Sequence, residues 1–128
     1  MNLKFYRCNV CGQMVEVINN TNLDIRCCAR DMEELVPNTE EGAGEKHIPV
    51  VTIDGDEVHV TVGEIEHPMS AAHYIRQIIL QTTHGCQRVD LIPGCEPKAC
   101  FKLMKGEEAE AVYEYCNIHG LWKKDLRV

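Results

Sequence analysis

The sequence predicts an all-β protein made of two parts, a small metal-binding module followed by a larger antiparallel β-sandwich. Three observations support this prediction. Four of the eight cysteines fall within residues 1–36, between short β-like runs. From residue 47 onward, short alternating runs are separated by turn dipeptides. Between the two parts, residues 37–46 combine proline, two glycines and charge without periodicity, which is typical of a linker.

The first 36 residues are too few to fold on apolar burial alone. Three short strands are predicted there, at Leu3–Arg7, Met14–Ile18 and Leu23–Arg26. A segment of this length lies below the ~40 residues at which an unaided core is marginal. It therefore needs a metal, a disulfide or a partner chain to stabilise it.

The remaining residues, 47–128, predict an immunoglobulin-like antiparallel β-sandwich. Alternation on both sides of Asp54-Gly55-Asp56 is typical of a β-hairpin. Several further short strands follow at regular spacing, as in such sandwiches. They are expected at Tyr74–Thr82, Gln87–Ile92, Ala99–Met104, Ala109–Tyr115 and Trp122–Arg127. Ile75, Ile78 and Ile79 also lie at helical spacing, so a short helix over 70–80 is an alternative.

Composition and charge limit the classes of function. The chain has 128 residues, 45% hydrophobic and 26% charged, which suits a globular protein with a packed core. Its net charge of −7 argues against nucleic acid as the main partner, because phosphate binding requires clustered Lys and Arg. No apolar run approaches the ~18 residues of a membrane span. The N-terminus reaches Cys8 without the apolar core of a signal peptide, so we expect no membrane partner and a cytoplasmic location.

Cysteines in a reducing compartment are expected to be metal ligands or thiols, and their spacing indicates ligands. Cys8-Asn9-Val10-Cys11-Gly12 is typical of a metal knuckle, in which a tight turn aims two thiolates at one ion. Cys27 and Cys28 complete a set of four thiolates, which suits tetrahedral zinc or iron. The alternatives are a purely structural zinc and a disulfide between Cys27 and Cys28, although the disulfide leaves Cys8 and Cys11 unexplained.

A second metal site is predicted from four histidines and one cysteine. His47 follows a Glu-Lys pair, His67 and His73 flank Pro-Met-Ser-Ala-Ala, and Cys116 and His119 repeat the two-residue gap of a knuckle. The backbone N–H groups of the two residues between Cys116 and His119 are expected to hydrogen-bond the sulfur. Structural zinc is satisfied by four ligands, whereas five leave a sixth position open on a six-coordinate ion. A thiolate ligand on a redox-active ion is a catalytic feature, as in thiolate-ligated haem.

The other histidines and cysteines are expected to stay outside both sites. His59 alternates with valines on a strand and is expected to face solvent, and His84 precedes Gly85 in a turn. Cys86, Cys95 and Cys100 are expected to be buried small hydrophobes or thiols. A disulfide between Cys95 and Cys100 is a minor alternative.

These motifs resemble the desulfoferrodoxins, the two-iron form of superoxide reductase, over essentially the whole chain. The resemblance implies a desulforedoxin-like domain at residues 1–36, with one iron on Cys8, Cys11, Cys27 and Cys28. It also implies a sandwich domain whose iron is bound by equatorial histidines and an axial cysteine, matching His47, His67, His73, His119 and Cys116. Two departures affect only the loop of the first domain: Ala29 stands where glycine is common, and residues 19–22 lack the usual glycines.

The resemblance also implies an activity. Superoxide takes up one electron and two protons to give hydrogen peroxide, with no dioxygen released. Lys46 is implied to attract superoxide and donate protons through water, and Glu45 to occupy the sixth position in the oxidised state. A rubredoxin-type electron donor and a homodimer are implied as partners. The alternative functions are a non-catalytic rubredoxin-like electron carrier, which leaves the five-ligand site unexplained, and a structural zinc protein that acts as a binding module.

Overall fold

The structure, a computed structural model, describes residues 2–40 and 47–127. Within these residues the chain forms β-strands and no helix, so the predicted all-β class is confirmed. In particular, the described part contains no helix long and apolar enough to cross a membrane. The chain divides into two compact units, Met1–Val36 and Pro37–Val128.

Over residues 2–36, the first unit forms five very short strands. They are β1 (Phe5–Arg7), β2 (Met14–Glu16), β3 (Arg26–Cys27), β4 (Arg30–Asp31) and β5 (Glu33–Glu34). The antiparallel sheet has the order β2-β1-β5, and β3 and β4 form a separate hairpin. The strand predicted from Leu23 is present only at Arg26. An Asx turn precedes it, in which the Asn22 N–H donates to Asn20 Oδ1 at 3.0 Å.

The core of this unit is small. Its buried apolar side chains among the described residues are Phe5, Cys8 and Met32, and one of these is a cysteine of the first predicted site. Ile18, Leu23 and Val36 are instead largely exposed. So little burial leaves the unit dependent on another source of stability, as its length predicts.

In its described residues, the second unit is a seven-stranded antiparallel β-sandwich. Its strands are β6 (Pro49–Asp54), β7 (Glu57–Val62), β8 (Ile75–Thr82), β9 (Gly85–Asp90), β10 (Lys98–Lys102), β11 (Ala109–Cys116) and β12 (Gly120–Asp125). One sheet has the order β10-β7-β6 and the other β12-β11-β8-β9. The predicted hairpin at Gly55 is present, where Asp54 pairs with Glu57 and Gly55 has a φ of 61°.

Alternation along β7 explains how the sheets bury a common core. Val58, Val60 and Val62 face inward, while His59 faces solvent, as predicted. From the opposite sheet, β8 and β11 contribute apolar side chains that pack against them. This cluster comprises Val58, Val60, Val62, Ile75, Ile78, Leu80, Phe101, Val112 and Cys116. Cys116 thus closes one end of β11 while its side chain belongs to the core.

The helix considered over residues 70–80 does not form, and the predicted strand is confirmed as β8. Ile75 and Ile78 both belong to the core although they are three residues apart, which a regular strand does not allow. The reason is an irregularity in the pairing of β8 with β11, where Tyr115 opposes Gln77 but Cys116 opposes Ile75. An extra residue at a β-bulge restores the inward direction and imitates helical spacing.

The described part of the predicted linker is attached to the second unit. Asn38 forms a parallel bridge with Trp122 on the edge strand β12. Its N–H donates to Leu121 O and its carbonyl accepts from the Lys123 N–H, both at 2.9 Å. Asn38 thus satisfies backbone groups at the open edge of the sheet.

Candidate metal centres

The first donor set lies at the β1–β2 turn and the β3–β4 hairpin. The sulfurs of Cys8, Cys11, Cys27 and Cys28 all lie within 4.8 Å of one another. Cys11 Sγ is 3.7 Å from Cys27 Sγ, which is 3.9 Å from Cys28 Sγ. Thiolates about 2.3 Å from one tetrahedral ion are about 3.8 Å apart, so the set fits such an ion. A disulfide requires about 2.05 Å, so Cys27 and Cys28 are not bonded to each other.

The adjacent cysteines are explained by the turn that carries them. Cys27 pairs with Arg30, which leaves Cys28 and Ala29 as a two-residue loop. Both loop residues have positive φ, 54° and 62°, as a type I′ turn requires. This turn reverses the chain between Cys27 and Arg30, and Cys28 lies in its positive-φ loop, so the side chains of the two neighbouring cysteines can approach the same ion.

The four sulfurs differ in how easily they lose a proton: the pKa of Cys8 is lowered by backbone N–H groups, whereas the pKa values of Cys27 and Cys28 are raised by nearby sulfurs. The backbone N–H groups of Cys11 and Val10 lower the pKa of Cys8 to about 6. Hydrogen bonding with the side chain of Cys11, and then with that of Cys8, raises the pKa of Cys27 to about 12. The pKa of Cys28 is also raised, chiefly by Cys11. A bound cation is what allows all four to be thiolates together.

Ala29 occupies a backbone conformation that suits glycine. We predict that Ala29→Gly stabilises the unit by about 0.5 to 1 kcal/mol. Glycine relieves about 1–2 kcal/mol of left-handed backbone strain in the folded state. It also raises the conformational entropy of the unfolded chain, which cancels part of this gain. Denaturant unfolding of the metal-loaded protein measures this difference. Ala29→Val is the matched opposite, since a β-branched residue tolerates positive φ poorly and should destabilise the unit. Equal stability of the two variants would contradict the prediction.

The second donor set is a closed ring of four imidazoles with a thiolate. Adjacent ring centroids are 4.7 to 5.0 Å apart, and adjacent planes meet at 64° to 82°. The cyclic order is His47, His67, His73, His119 and back to His47. Cys116 lies within the same cluster, in which all donor atoms are within 4.8 Å of one another.

The donor separations in this set fit an ion at its centre. His47 Nε2 is 3.0 Å from His119 Nδ1. Nitrogens about 2.1 Å from one ion and at right angles to each other are about 3.0 Å apart. The His67 Nδ1–H donates to the Pro68 carbonyl at 2.8 Å, and a carbonyl only accepts, so His67 Nε2 carries the lone pair for a metal. Five donors leave one position of a six-coordinate ion for another ligand.

Strand ends and tight turns bring these donors together. His47 precedes β6, His67 and His73 lie between β7 and β8, and His119 lies in the turn between β11 and β12. His47, His67 and Cys116 are buried, whereas His119 is exposed. The set is therefore fixed in the protein on one side and open to solvent on the other.

The Cys116 sulfur accepts a hydrogen bond from the third residue after it, which the sequence did not indicate. The His119 N–H lies 3.5 Å from Cys116 Sγ. The Asn117 N–H, expected to reach the sulfur, instead donates to Tyr74 O at 3.2 Å.

Asn117 joins the two loops that carry His73 and His119. Its Oδ1 accepts from the Tyr74 N–H at 2.9 Å, and its Nδ2 donates to Ala72 O at 3.0 Å. Together with its backbone N–H, this residue makes three hydrogen bonds to the backbone on either side of His73. The only sign of this role in the sequence is an asparagine next to a ligand.

We predict that Asn117→Ala weakens metal binding at the second set or its activity by about 10- to 100-fold, the usual effect of removing a group that orients a ligand. Asn117→Asp should also show a loss, because it keeps the acceptor for the Tyr74 N–H but turns a carboxylate oxygen toward Ala72 O, and two acceptors repel each other. Both losses are checked by measuring the metal content of each variant together with the rate of its reaction at the second donor set. Gln87→Ala, which removes one side-chain bond to Lys102 O on another edge, is the control. A rate for Asn117→Ala equal to that of the control would contradict the prediction.

Trp122 is a second contributor that the sequence did not reveal. Its indole stacks on the His47 ring with centroids 4.6 Å apart and planes 12° from parallel. Its Nε1–H donates to His119 O at 3.1 Å. One side chain thus orients two adjacent members of the imidazole ring. The only available signal was a single tryptophan three residues after His119.

The remaining histidines and cysteines lie outside both donor sets, and two predicted residues next to His47 lie outside the described part of the chain. Glu45 and Lys46 lie outside the described residues. His84 lies in the turn between β8 and β9, as predicted. Cys86, Cys95 and Cys100 are exposed thiols, so of the two predicted alternatives the thiol one is confirmed and the buried one is wrong, and none of the eight cysteines forms a disulfide. The three lie on the outer surface of the sandwich or in its loops, where small apolar volume is not required.

Comparison with known proteins identifies both units. Residues 39–125 match the family model described as desulfoferrodoxin, and residues 2–35 match that of the desulfoferrodoxin N-terminal domain. The desulfoferrodoxin of Syntrophotalea carbinolica is 41% identical over 123 residues, covering 96% of each chain. That of Desulfarculus baarsii is 44% identical over 125 residues, with the same coverage.

A solved structure agrees with these relatives. The superoxide reductase from Treponema pallidum is 30% identical and matches with a TM-score of 0.84, covering 97% of this chain and 98% of its own. Two family models, relatives that cover 96% of the chain and two donor sets that could each hold a metal ion all agree. This chain belongs to the desulfoferrodoxin family.

Proposed function

We propose that this chain is a superoxide reductase that converts superoxide to hydrogen peroxide, taking up one electron and two protons and releasing no dioxygen. The observation that carries this proposal is the closed ring of four imidazoles with a buried thiolate and an open side. It occurs in a chain similar over 97% of its length to the superoxide reductase from Treponema pallidum.

In this proposal each donor set holds one iron. Cys8, Cys11, Cys27 and Cys28 hold the first; His47, His67, His73, Cys116 and His119 hold the second. Iron in the second set supplies, in its ferrous state, the electron that superoxide takes up. The residues around it prepare that chemistry: Cys116 contributes the one negative charge of its set from within the apolar core, and the His119 N–H stabilises that charge.

The substrate is an anion and the protein carries a net charge of −7, so the site needs a local cation. Lys46 supplies it, directly before the buried ligand His47. Its ammonium attracts superoxide and passes protons through water to the reduced oxygens. Glu45 would fill the open position in the oxidised state, as the family resemblance implies.

We predict that Lys46→Ala lowers the second-order rate with superoxide about 10-fold or more at low ionic strength, because the focusing charge is lost. The dependence of the rate on salt should weaken as well. Pulse-generated superoxide, followed at several salt concentrations, measures both effects. Lys124→Ala, an exposed lysine on β12, is the control and should behave as wild type. A rate that falls equally in both variants would show that only overall charge matters.

Product stoichiometry tests the activity itself. With the reduced protein in excess, each superoxide should yield one hydrogen peroxide and oxidise one iron, with no dioxygen evolved. Dioxygen equal to half the superoxide consumed would indicate dismutation instead. Complete absence of superoxide consumption, in protein holding two irons, would favour the alternative of a rubredoxin-like electron carrier.

The proposal extends to partners and location. A rubredoxin-type protein is the proposed electron donor. A homodimer is supported by exposed apolar side chains on the thin first unit, with Ile18 84%, Leu23 77% and Val36 78% exposed. Sedimentation of the iron-loaded protein determines the oligomeric state. A cytoplasmic role in superoxide detoxification is supported by eight cysteines without a disulfide.

A further inference from the structure

We propose that the outer face of the sheet β10-β7-β6 carries a third metal site, formed by Glu57, His59 and Cys100 and suited to a divalent ion of the zinc class. These residues lie outside both iron sets and have no part in the proposed reduction of superoxide. One oxygen, one nitrogen and one sulfur donor, one from each residue, lie within 4.8 Å of one another.

Strand pairing places the three side chains on one surface. Cys100 on β10 is the direct antiparallel partner of His59 on β7. Side chains of directly paired residues point to the same face, with Cβ atoms about 5 Å apart. Glu57 is two residues from His59 along β7, so it shares that face. The arrangement thus follows from the register of two regular strands and needs no loop rearrangement.

The distances require only small side-chain adjustments to enclose an ion. His59 Nε2 already lies 3.2 Å from Glu57 Oε1. Donors about 2.0 to 2.3 Å from one tetrahedral ion are about 3.3 to 3.8 Å apart. His59 and Cys100 are exposed, so rotation about their side-chain bonds closes the remaining gap at little cost. They also line a surface depression together with Thr61 and Lys98, which leaves space for an ion and a water ligand.

The chemistry of the three donors selects the class of ion. A thiolate and an imidazole favour borderline transition metals over magnesium or calcium, and zinc accepts this mixed set with water in a fourth position. The charges of a thiolate and a carboxylate also balance a divalent cation. Lys102 Nζ lies 3.8 Å from Glu57 Oε2, the carboxylate oxygen that does not contact His59, so this contact can persist when the ion binds.

Zinc binding to the protein with both irons in place tests the proposal. Calorimetry should show one zinc bound per chain beyond the two irons, with iron content unchanged after dialysis. Cys100→Ser and His59→Gln should each weaken this binding about 10-fold or more, since removing a ligand costs at least as much as removing its supporting group. Cobalt(II) added in place of zinc should give a thiolate-to-metal absorption band that Cys100→Ser abolishes.

Cys95→Ser, which removes an exposed thiol outside the cluster, is the matched control and should bind zinc as wild type does. Retained iron absorption and superoxide reduction in every variant would show that the fold and both iron sites are intact. Three results would overturn the proposal: no additional zinc in wild type, equal binding in Cys100→Ser, or zinc uptake matched by loss of iron.

Discussion

Replacing Cys116 with serine should reduce the rate of superoxide reduction by more than about 100-fold, because even groups that only orient a metal ligand are often worth 10- to 100-fold. Cys116 is fully buried at the end of β11, and its sulfur lies 3.9 Å from His119 Nδ1. A serine hydroxyl is shorter, harder and protonated at neutral pH, so the set would lose its only anionic donor.

The measurements are the rate with superoxide, the iron content and the absorption of the thiolate-ligated iron. We expect the second iron to be lost or its absorption to change, with the tetrathiolate absorption of the first iron unchanged. Cys95→Ser provides the control for removing a thiol from this unit. A Cys116→Ser protein within about threefold of the control rate, an energy of less than 1 kcal/mol, would exclude Cys116 from the reactive centre.

Replacing Cys8 with serine should unfold the first unit. A structural tetrathiolate ion contributes about 10–16 kcal/mol of binding free energy to folding in small metal-stapled peptides. Here the apolar core among the described residues consists of Phe5, Met32 and Cys8 itself, which is 1% exposed. Removing this sulfur therefore takes away a ligand and part of the core together. Amide hydrogen exchange should lose protection over residues 2–36 and keep it over β7, β8 and β11.

This variant also separates the two roles open to the first iron. With a chemical reductant that reaches the second site directly, Cys8→Ser should reduce superoxide at the wild-type rate under either role. Turnover with a protein donor should stay at the wild-type rate if the first iron only stabilises the fold, and should fall if the first iron relays electrons. If amide protection were lost in both units, the core of the second unit would depend on the first unit, which would contradict this prediction.

Much of the fold could be predicted from the sequence because local chemistry determines it. Alternation of Val58, Val60 and Val62 indicates a strand with one buried face, and Gly55 marks the hairpin turn. Several predicted strand bounds differ from the structure by only one to three residues. The helical spacing of Ile75 and Ile78 was ambiguous, because a bulge depends on the pairing partner β11 and leaves no local signal.

The candidate sites were also predictable only in part. Cysteine and histidine spacing indicated both donor sets, since only a few residue types bind these metals and short gaps constrain their geometry. The supporting contacts of Asn117 and Trp122 were not predictable, because they join segments that are distant in the sequence. The same holds for the proposed zinc site, whose members His59 and Cys100 are 41 residues apart and meet only through strand register.

The all-β class, the thiolate set near the N-terminus and the candidate donors of the second set were predictable from the sequence. These depend on residue type and short-range spacing, which are properties of the linear chain. The tertiary structure alone decided that four imidazoles form a closed ring, that the Cys116 thiolate is backed by the apolar core, and that the remaining cysteines are exposed. Such properties depend on which strands pair and in what register, and pairing between distant segments is set by burial of the whole core rather than by local sequence.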